Sequence, residues 1–182
     1  HDIGKEGFYI GHSYYYGYDK GGCGSLLPHT IENISVYNNR VTNTGWDGMQ
    51  VSCAVSGTRI HHNTIDNYGT KNDINQRDGI VIGGGTNALC YNNFVTNGKG
   101  TGIICFGLGN STLYNNIIVN PGVKGMLCDE RGESAGQGYR FVNNTIINPP
   151  QEGISILTAT LPKNVCLNNI IVKPNGDAYL AI

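Results

Sequence analysis

A six-residue phrase recurs six times along the chain, each copy carrying an asparagine two residues ahead of a valine or isoleucine. The copies read Val36-Tyr37-Asn38-Asn39-Arg40-Val41, Ile60-His61-His62-Asn63-Thr64-Ile65, Cys90-Tyr91-Asn92-Asn93-Phe94-Val95, Leu113-Tyr114-Asn115-Asn116-Ile117-Ile118, Phe141-Val142-Asn143-Asn144-Thr145-Ile146 and Cys166-Leu167-Asn168-Asn169-Ile170-Ile171. Successive asparagines are 24, 30, 23, 28 and 25 residues apart. A repeat of this length is one supersecondary unit that cannot bury its apolar face alone, so it must stack on its neighbours.

Around each asparagine, apolar and polar residues alternate with period two, which is the strand pattern. A second polar position follows at Asn43, Asn67, Asn97, Asn120, Asn148 and Lys173, and then a glycine leading an apolar stretch, such as Gly79-Ile80-Val81-Ile82 or Gly102-Ile103-Ile104-Cys105. Ala178 holds the glycine's place in the last copy, and Gly7-Phe8-Tyr9-Ile10 belongs to a partial first copy. The count from ladder asparagine to glycine position is nine in every copy except Asn63 to Gly79, where it is sixteen. Such regularity predicts one rung per repeat, with three strands and three turns. With 27 glycines and only 14% charged residues, the composition suits turn-dense strands and disfavours helix, in which glycine costs about 1 kcal/mol. Stacked asparagine amides would satisfy one another and the buried turn polar groups, and asparagine tolerates a left-handed corner.

On these residues, from Gly4 to Ile182, the chain resembles the right-handed parallel β-helix, the fold of pectate lyases and of many other polysaccharide lyases and glycoside hydrolases. The resemblance implies an all-β, right-handed, single-stranded parallel β-helix of about seven rungs, with three short parallel sheets and an Asn ladder. It also implies a secreted or cell-surface protein that cleaves a polysaccharide or oligosaccharide, by hydrolysis or by β-elimination. One fold hosts many activities, and the rival expectation is a non-catalytic glycan-binding or spacer segment. In such proteins the ladder turn is short, and long turns beside the glycine-led strands build the substrate cleft. The insertions of this chain fall there: Gly11 to Thr30, Tyr68 to Asp78 and Asp129 to Gly138.

At 182 residues with 39% hydrophobic side chains, one domain spanning residues 1–182 is expected. Its first residues already lie inside a rung and its last strand carries no cap, so we expect a fragment of a longer chain with other domains. A net charge of -1 offers no basic surface for nucleic acid. No apolar run has the length of a membrane span, and His1-Asp2-Ile3-Gly4 lacks the regions of a signal peptide. Of the six cysteines, Cys90, Cys105, Cys128 and Cys166 occupy inward slots that aliphatic residues fill in other rungs, which reads as buried thiols. Cys23 and Cys53 lie in equivalent loops, where pairing is open.

Chemistry points to the position before each glycine, which reads Glu6, Asp47, Asp78, Thr101, Lys124, Glu152 and Asp177. Parallel rungs would stack these about 4.8 Å apart, making Glu6, Asp47 and Asp78 a carboxylate ladder. Like charges this close raise a pKa or recruit a cation, which suits acid–base catalysis or Ca²⁺; no cofactor is otherwise required. Adjacent rungs match the carboxyl separation of retaining glycosidases, and alternate rungs, at about 9.6 Å, that of inverting ones. Against this stands the common use of Asp or Glu before Gly as a turn residue. Arg77 joins the catalytic candidates because lyases of this fold commonly use Arg or Lys as base. Tyr9, Gln50, Trp46, His12 and Lys71 are the substrate-binding candidates, and Tyr14, Tyr15, Tyr16 and Tyr18 offer ring faces to a sugar. His29 closes the first insertion as a possible acid or base.

Overall fold

The computed structural model describes residues 2–19, 21–22, 24–129, 131, 138–158 and 164–181. Among these, every regular element is a strand of two to four residues, as a chain with this density of glycine and asparagine dictates. Three parallel sheets run the length of the coil. The first has seven strands, Phe8–Ile10, Met49–Val51, Ile80–Ile82, Ile103–Cys105, Met126–Asp129, Ile154–Leu157 and Tyr179–Ala181, in chain order. The second has six, from Ser35–Tyr37 to Val165–Leu167, and the third has six, from Arg40–Thr42 to Ile170–Val172. Each strand pairs with its counterpart one rung away, without slippage in any of the three. The result is a parallel β-helix of about six turns, the first sheet carrying a seventh strand.

The core is a set of vertical columns. Val36, Ile60, Cys90, Leu113, Phe141 and Cys166 stack beneath the second sheet, and Val41, Ile65, Val95, Ile118, Ile146 and Ile171 beneath the third. Cys90, Cys105 and Cys128 are fully buried free thiols, and burial pushes their pKa values up, as expected of small hydrophobes. Cys53 is also free and donates from Sγ to the carbonyl of His12 at 2.9 Å. Cys23 lies outside the described residues.

Between the second and third sheets the turn is only two residues long, and the ladder amides close it. Asn93 Oδ1 accepts from Asn63 N at 3.1 Å and from Asn63 Nδ2 at 3.0 Å, while Asn93 Nδ2 donates to Asn116 Oδ1 at 2.9 Å and to Ile60 O at 3.0 Å. The same pattern runs from Asn39 to Asn169. The left-handed corner falls on the residue before each ladder asparagine, Asn38, His62, Asn92, Asn115, Asn143 and Asn168, with φ of 53–55°. The second polar position is left-handed too, and here asparagine side chains form another, exposed ladder, with Asn67 Nδ2 to Asn43 Oδ1 at 2.7 Å and Asn148 Nδ2 to Asn120 Oδ1 at 2.9 Å.

The glycines that lead the first sheet have ordinary φ; close approach is what requires them. A Cβ on Gly48, Gly79, Gly102 or Gly125 would collide with the carbonyl oxygen of the equivalent glycine one rung on and with a core side chain of the third sheet. Each glycine N–H donates to the carbonyl of the pre-glycine residue one rung on, as from Gly48 to Asp78 and from Gly79 to Thr101, both at 2.9 Å. The pre-glycine column is therefore held in register.

Asn116→Ala should be costly, because it strands the buried N–H and amide of Asn93 and the carbonyl of Cys90, each worth about 1–3 kcal/mol when unsatisfied. Asn120→Gly, which keeps the left-handed corner and loses only two exposed amide bonds, should change stability by under about 1 kcal/mol. Thermal melts followed by circular dichroism will show a much larger loss for the first variant.

Candidate functional site

The insertion that breaks the nine-residue count builds one wall of a cleft. Gly69, Thr70 and Lys71 first follow the rung below, donating to the carbonyls of Trp46, Thr44 and Gly45 at 2.9–3.0 Å. Asn72, with φ of 53°, then reverses the chain, and Asp73 Oδ1 accepts from Asn75 N at 3.1 Å in a tight turn. This carries Ile74, Asn75 and Gln76 over the outer face of the first sheet before the chain rejoins the rung at Asp78. Tyr68 anchors the base of the insertion. It is fully buried against Gly98, where any Cβ would overlap its ring, and its hydroxyl has no hydrogen-bond partner.

Between insertion and sheet lies a cleft of about 260 Å³. Its floor is the outward column Gln50, Val81, Ile104 and Leu127, in register across four rungs. Asp47, Arg77, Asp78 and Thr101 line one side, and Ser13, Phe106 and Arg131 also contribute. Ser13 and Arg131 are shared with a neighbouring hollow of about 160 Å³ walled by Tyr14, Tyr15, Tyr16 and Gly84. Tyr15 owes its place to Gly85, where any added Cβ would run into its ring. Tyr16 packs edge-on against Tyr15 at 4.9 Å, leaving its own ring half exposed. The two hollows form one groove, apolar beneath, with carboxyl groups on one flank and aromatic rings at the other.

Four of the sequence candidates, Asp47, Asp78, Arg77 and Gln50, thus meet in the cleft. Gln50 is buried, and its Nε2 donates to Ser13 Oγ at 2.9 Å and Ser52 Oγ at 3.2 Å. Tyr9 is exposed, and its hydroxyl bonds Ser13 Oγ. The remaining candidates are occupied outside the cleft lining. The ring of Trp46 carries the ammonium of Lys5, 5.0 Å from its centroid. Lys71 runs along the backbone of Gly4 and Gly45. His12 stacks on Tyr18 at 5.0 Å, and its Nδ1 accepts from Tyr14 N at 3.1 Å. His29 is exposed. Sequence reasoning missed Gln76, Ser13, Phe106 and Arg131, and named Thr101 in the pre-glycine column without giving it a role in the site. Ser13, Gln76 and Arg131 sit in insertions that the repeat count does expose, but nothing in their spacing marks the individual side chains.

The carboxylate column exists, and part of its work is structural. Asp47 Oδ1 accepts from Asp78 N at 2.6 Å, and Asp78 Oδ1 from Thr101 N at 2.7 Å, so each carboxyl caps the next rung. Farther along, Lys124 pairs with Glu152, which lowers the Glu152 pKa. With the Gln76 amide nitrogen turned toward them, it donates to Glu6 Oε1 at 3.0 Å and Asp47 Oδ2 at 3.3 Å. Asp47 is only 2% exposed. Burial first, and then the charges of Asp78, Glu6 and Asp73, push its pKa up to about 8, against the lowering effect of the Asp78 N–H. Burial also raises Asp78, but here the Thr101 N–H and the guanidinium groups of Arg131 and Arg77 pull the other way. Arg131 reaches the cleft with its guanidinium 4.6 Å from the Phe106 ring centroid and its Nε 2.8 Å from Asp129 Oδ2. Among the described residues no group of three His, Cys, Asp or Glu side chains is placed to hold a metal ion. No helix among the described residues is long and apolar enough to cross a membrane.

Residues 31–181 match the family described as the right handed beta helix region. The chain belongs to the right-handed β-helix family. No curated protein and no solved structure matches it. The handedness of the family is the one expected of parallel crossovers, and the long turns of this chain frame the outer face of the first sheet.

Two variants test this description. The folded pKa of Asp47, about 8, exceeds its ordinary value of 3.8, so the folded state binds the extra proton. Its stabilising contribution is full below about pH 4 and is lost as pH rises through about 8. Asp47→Asn, which keeps an acceptor for Asp78 N, should therefore raise the melting temperature at pH 9 more than at pH 5, at about 2–4 °C per kcal/mol. Tyr68→Phe removes a buried hydroxyl that bonds nothing and should leave stability unchanged or higher by up to about 1–3 kcal/mol in denaturant titrations.

Proposed function

We propose that this β-helix domain binds a polysaccharide in the groove and cleaves it by hydrolysis, with Asp47 as general acid and Asp78 as general base or nucleophile. The observation that carries this reading is the meeting of two neighbouring carboxyl groups in one cleft, both held above the ordinary carboxylate range by burial, with guanidinium groups acting on Asp78 alone. Asp47 is buried and raised to about 8, with no cation among the causes that act on it, so it holds a proton at neutral pH. Asp78 faces Arg131 and Arg77, whose charges favour its carboxylate. A carboxyl group that keeps its proton beside one with cationic neighbours is the arrangement in which acid and base roles can be divided. The exposed rings of Tyr14 and Tyr16 supply faces for sugar stacking, and Ser13 and Gln50 supply hydrogen bonds. Tyr9 extends this edge of the groove through Ser13.

Elimination is the weaker chemical reading. It needs a basic side chain at the reacting carbon, yet Lys71 lies along Gly4 and Gly45, and Arg77 Nη1 is held by Asn72 Oδ1 at 2.7 Å. A second reading, a glycan-binding or spacer segment without turnover, is favoured by the oxygen that each carboxyl commits to a backbone N–H. A secreted or cell-surface setting, with other domains of a longer chain, belongs to the same proposal.

The test is incubation with a panel of neutral and acidic polysaccharides, scored for new reducing ends and for the ultraviolet absorbance of unsaturated uronates. Hydrolysis predicts reducing ends without that absorbance, and loss of activity by about two to four orders of magnitude in Asp47→Asn and Asp78→Asn, with the coil still folded. Activity that survives in both variants rejects the assignment. Retention of a polysaccharide without products identifies a binding domain, and the absorbance identifies a lyase.

A further inference from the structure

Away from the cleft, the corner of the second sheet repeats a Tyr–Asn pair: Tyr37-Asn38, Tyr91-Asn92 and Tyr114-Asn115, each asparagine left-handed. One rung departs from the pair at both positions and reads His61-His62. His61 takes the tyrosine's place, its ring stacked between Tyr37 at 5.1 Å and Tyr91 at 4.7 Å, within 9° of parallel. His62 takes the asparagine's place, with φ of 55°. Neighbouring side chains on an extended strand leave on opposite faces, but the left-handed corner turns the His62 ring back toward His61. The two rings stand at 86°, and their Nδ1 atoms are 2.8 Å apart.

Two imidazole nitrogens at right angles on one metal, each about 2.0 Å from it, are about 2.8 Å apart. We propose that His61 and His62 form a surface site for a divalent transition-metal ion of the Cu²⁺ or Ni²⁺ type, with the two Nδ1 atoms as cis ligands and water completing the coordination. Without metal, one Nδ1–H donates to the other Nδ1. Binding moves that proton to the Nε2 of the same ring, so both Nδ1 lone pairs face the ion and no net proton is lost. On His62 that Nε2 lies 3.3 Å from the side-chain amide of Asn92. With the amide turned, its oxygen accepts the new N–H, the kind of support that fixes metal-bound imidazoles. The tyrosine sandwich holds the His61 ring before any ion arrives. Burial, His62 and Arg59 lower the His61 pKa, which keeps the ring neutral and free to ligate. Arg59, two residues away on the same strand, carries a like charge and weakens the binding of a cation.

The experiment uses the chain without a polyhistidine tag, stripped with chelator and titrated with CuCl₂ at neutral pH. Calorimetry should give one ion per chain, electron paramagnetic resonance should show imidazole nitrogen coupling, and tyrosine emission should be quenched. His61→Tyr and His62→Asn restore the residues of the neighbouring rungs and so leave the melting temperature near that of the parent. Each should weaken binding by at least about tenfold. Acidification to about pH 5 should release the ion as protons take the imidazoles. Unchanged binding in both variants places the ion elsewhere and overturns the proposal, as does the absence of saturable binding or of nitrogen coupling in the parent chain.

Discussion

Everything in this coil depends on the saturation of the ladder amides. An asparagine side chain has one oxygen able to accept twice and one nitrogen able to donate twice. In Asn63, Asn93, Asn116 and Asn144 all four capacities are used, upward to the next asparagine and back to a carbonyl of the rung before. A two-residue turn leaves polar backbone groups facing the interior, and nothing else is close enough to satisfy them. The turn can therefore be neither lengthened nor replaced, and variation in chain length is displaced to the other turns. That displacement is what surrounds one sheet with loops and leaves the opposite corner bare.

The cleft inherits a tension from this scaffold. Its carboxyl groups belong to a column whose backbone pitch is fixed, so like charges are brought together that water would keep apart. The column relieves the strain differently at each rung: protonation at Asp47, guanidinium neighbours at Asp78, a neutral Thr101, and a Lys124–Glu152 pair beyond. The charge presented by the column thus differs from one rung to the next.

The fold was legible because its determinants are local and periodic. Val36, Ile60, Leu113 and Phe141 announce an inward slot by recurring at the same offset from an asparagine, and Cys90 and Cys166 are read correctly by the same offset. The pre-glycine column was legible for the same reason, which is why Asp47 and Asp78 emerged from counting alone. Loop side chains have no such ruler. Trp46 and Lys71 carried suitable chemistry, but Lys5 and the backbone of Gly4 and Gly45 occupy them. Gln76 and Arg131 reach the cleft through turns whose course depends on Asp73 and Asp129 accepting backbone N–H groups nearby, and no periodicity encodes that. The left-handed corner was not assigned to one residue, because both members of an Asn–Asn pair are chemically able to adopt it and only one also has to reach the ladder.

The glycine column has a consequence for how such a surface can change. Because bare backbone touches bare backbone there, the neighbours' main chain fixes the position of the preceding residue, and the caps that Asp47 and Asp78 supply are added to that. Glutamate, aspartate, threonine and lysine all occur at that position in this one chain. The column behaves as a row of interchangeable sockets at fixed pitch. A single codon change swaps the charge presented at one rung while the others stay where they were, so a ligand with a regular spacing along its own length can be matched one unit at a time.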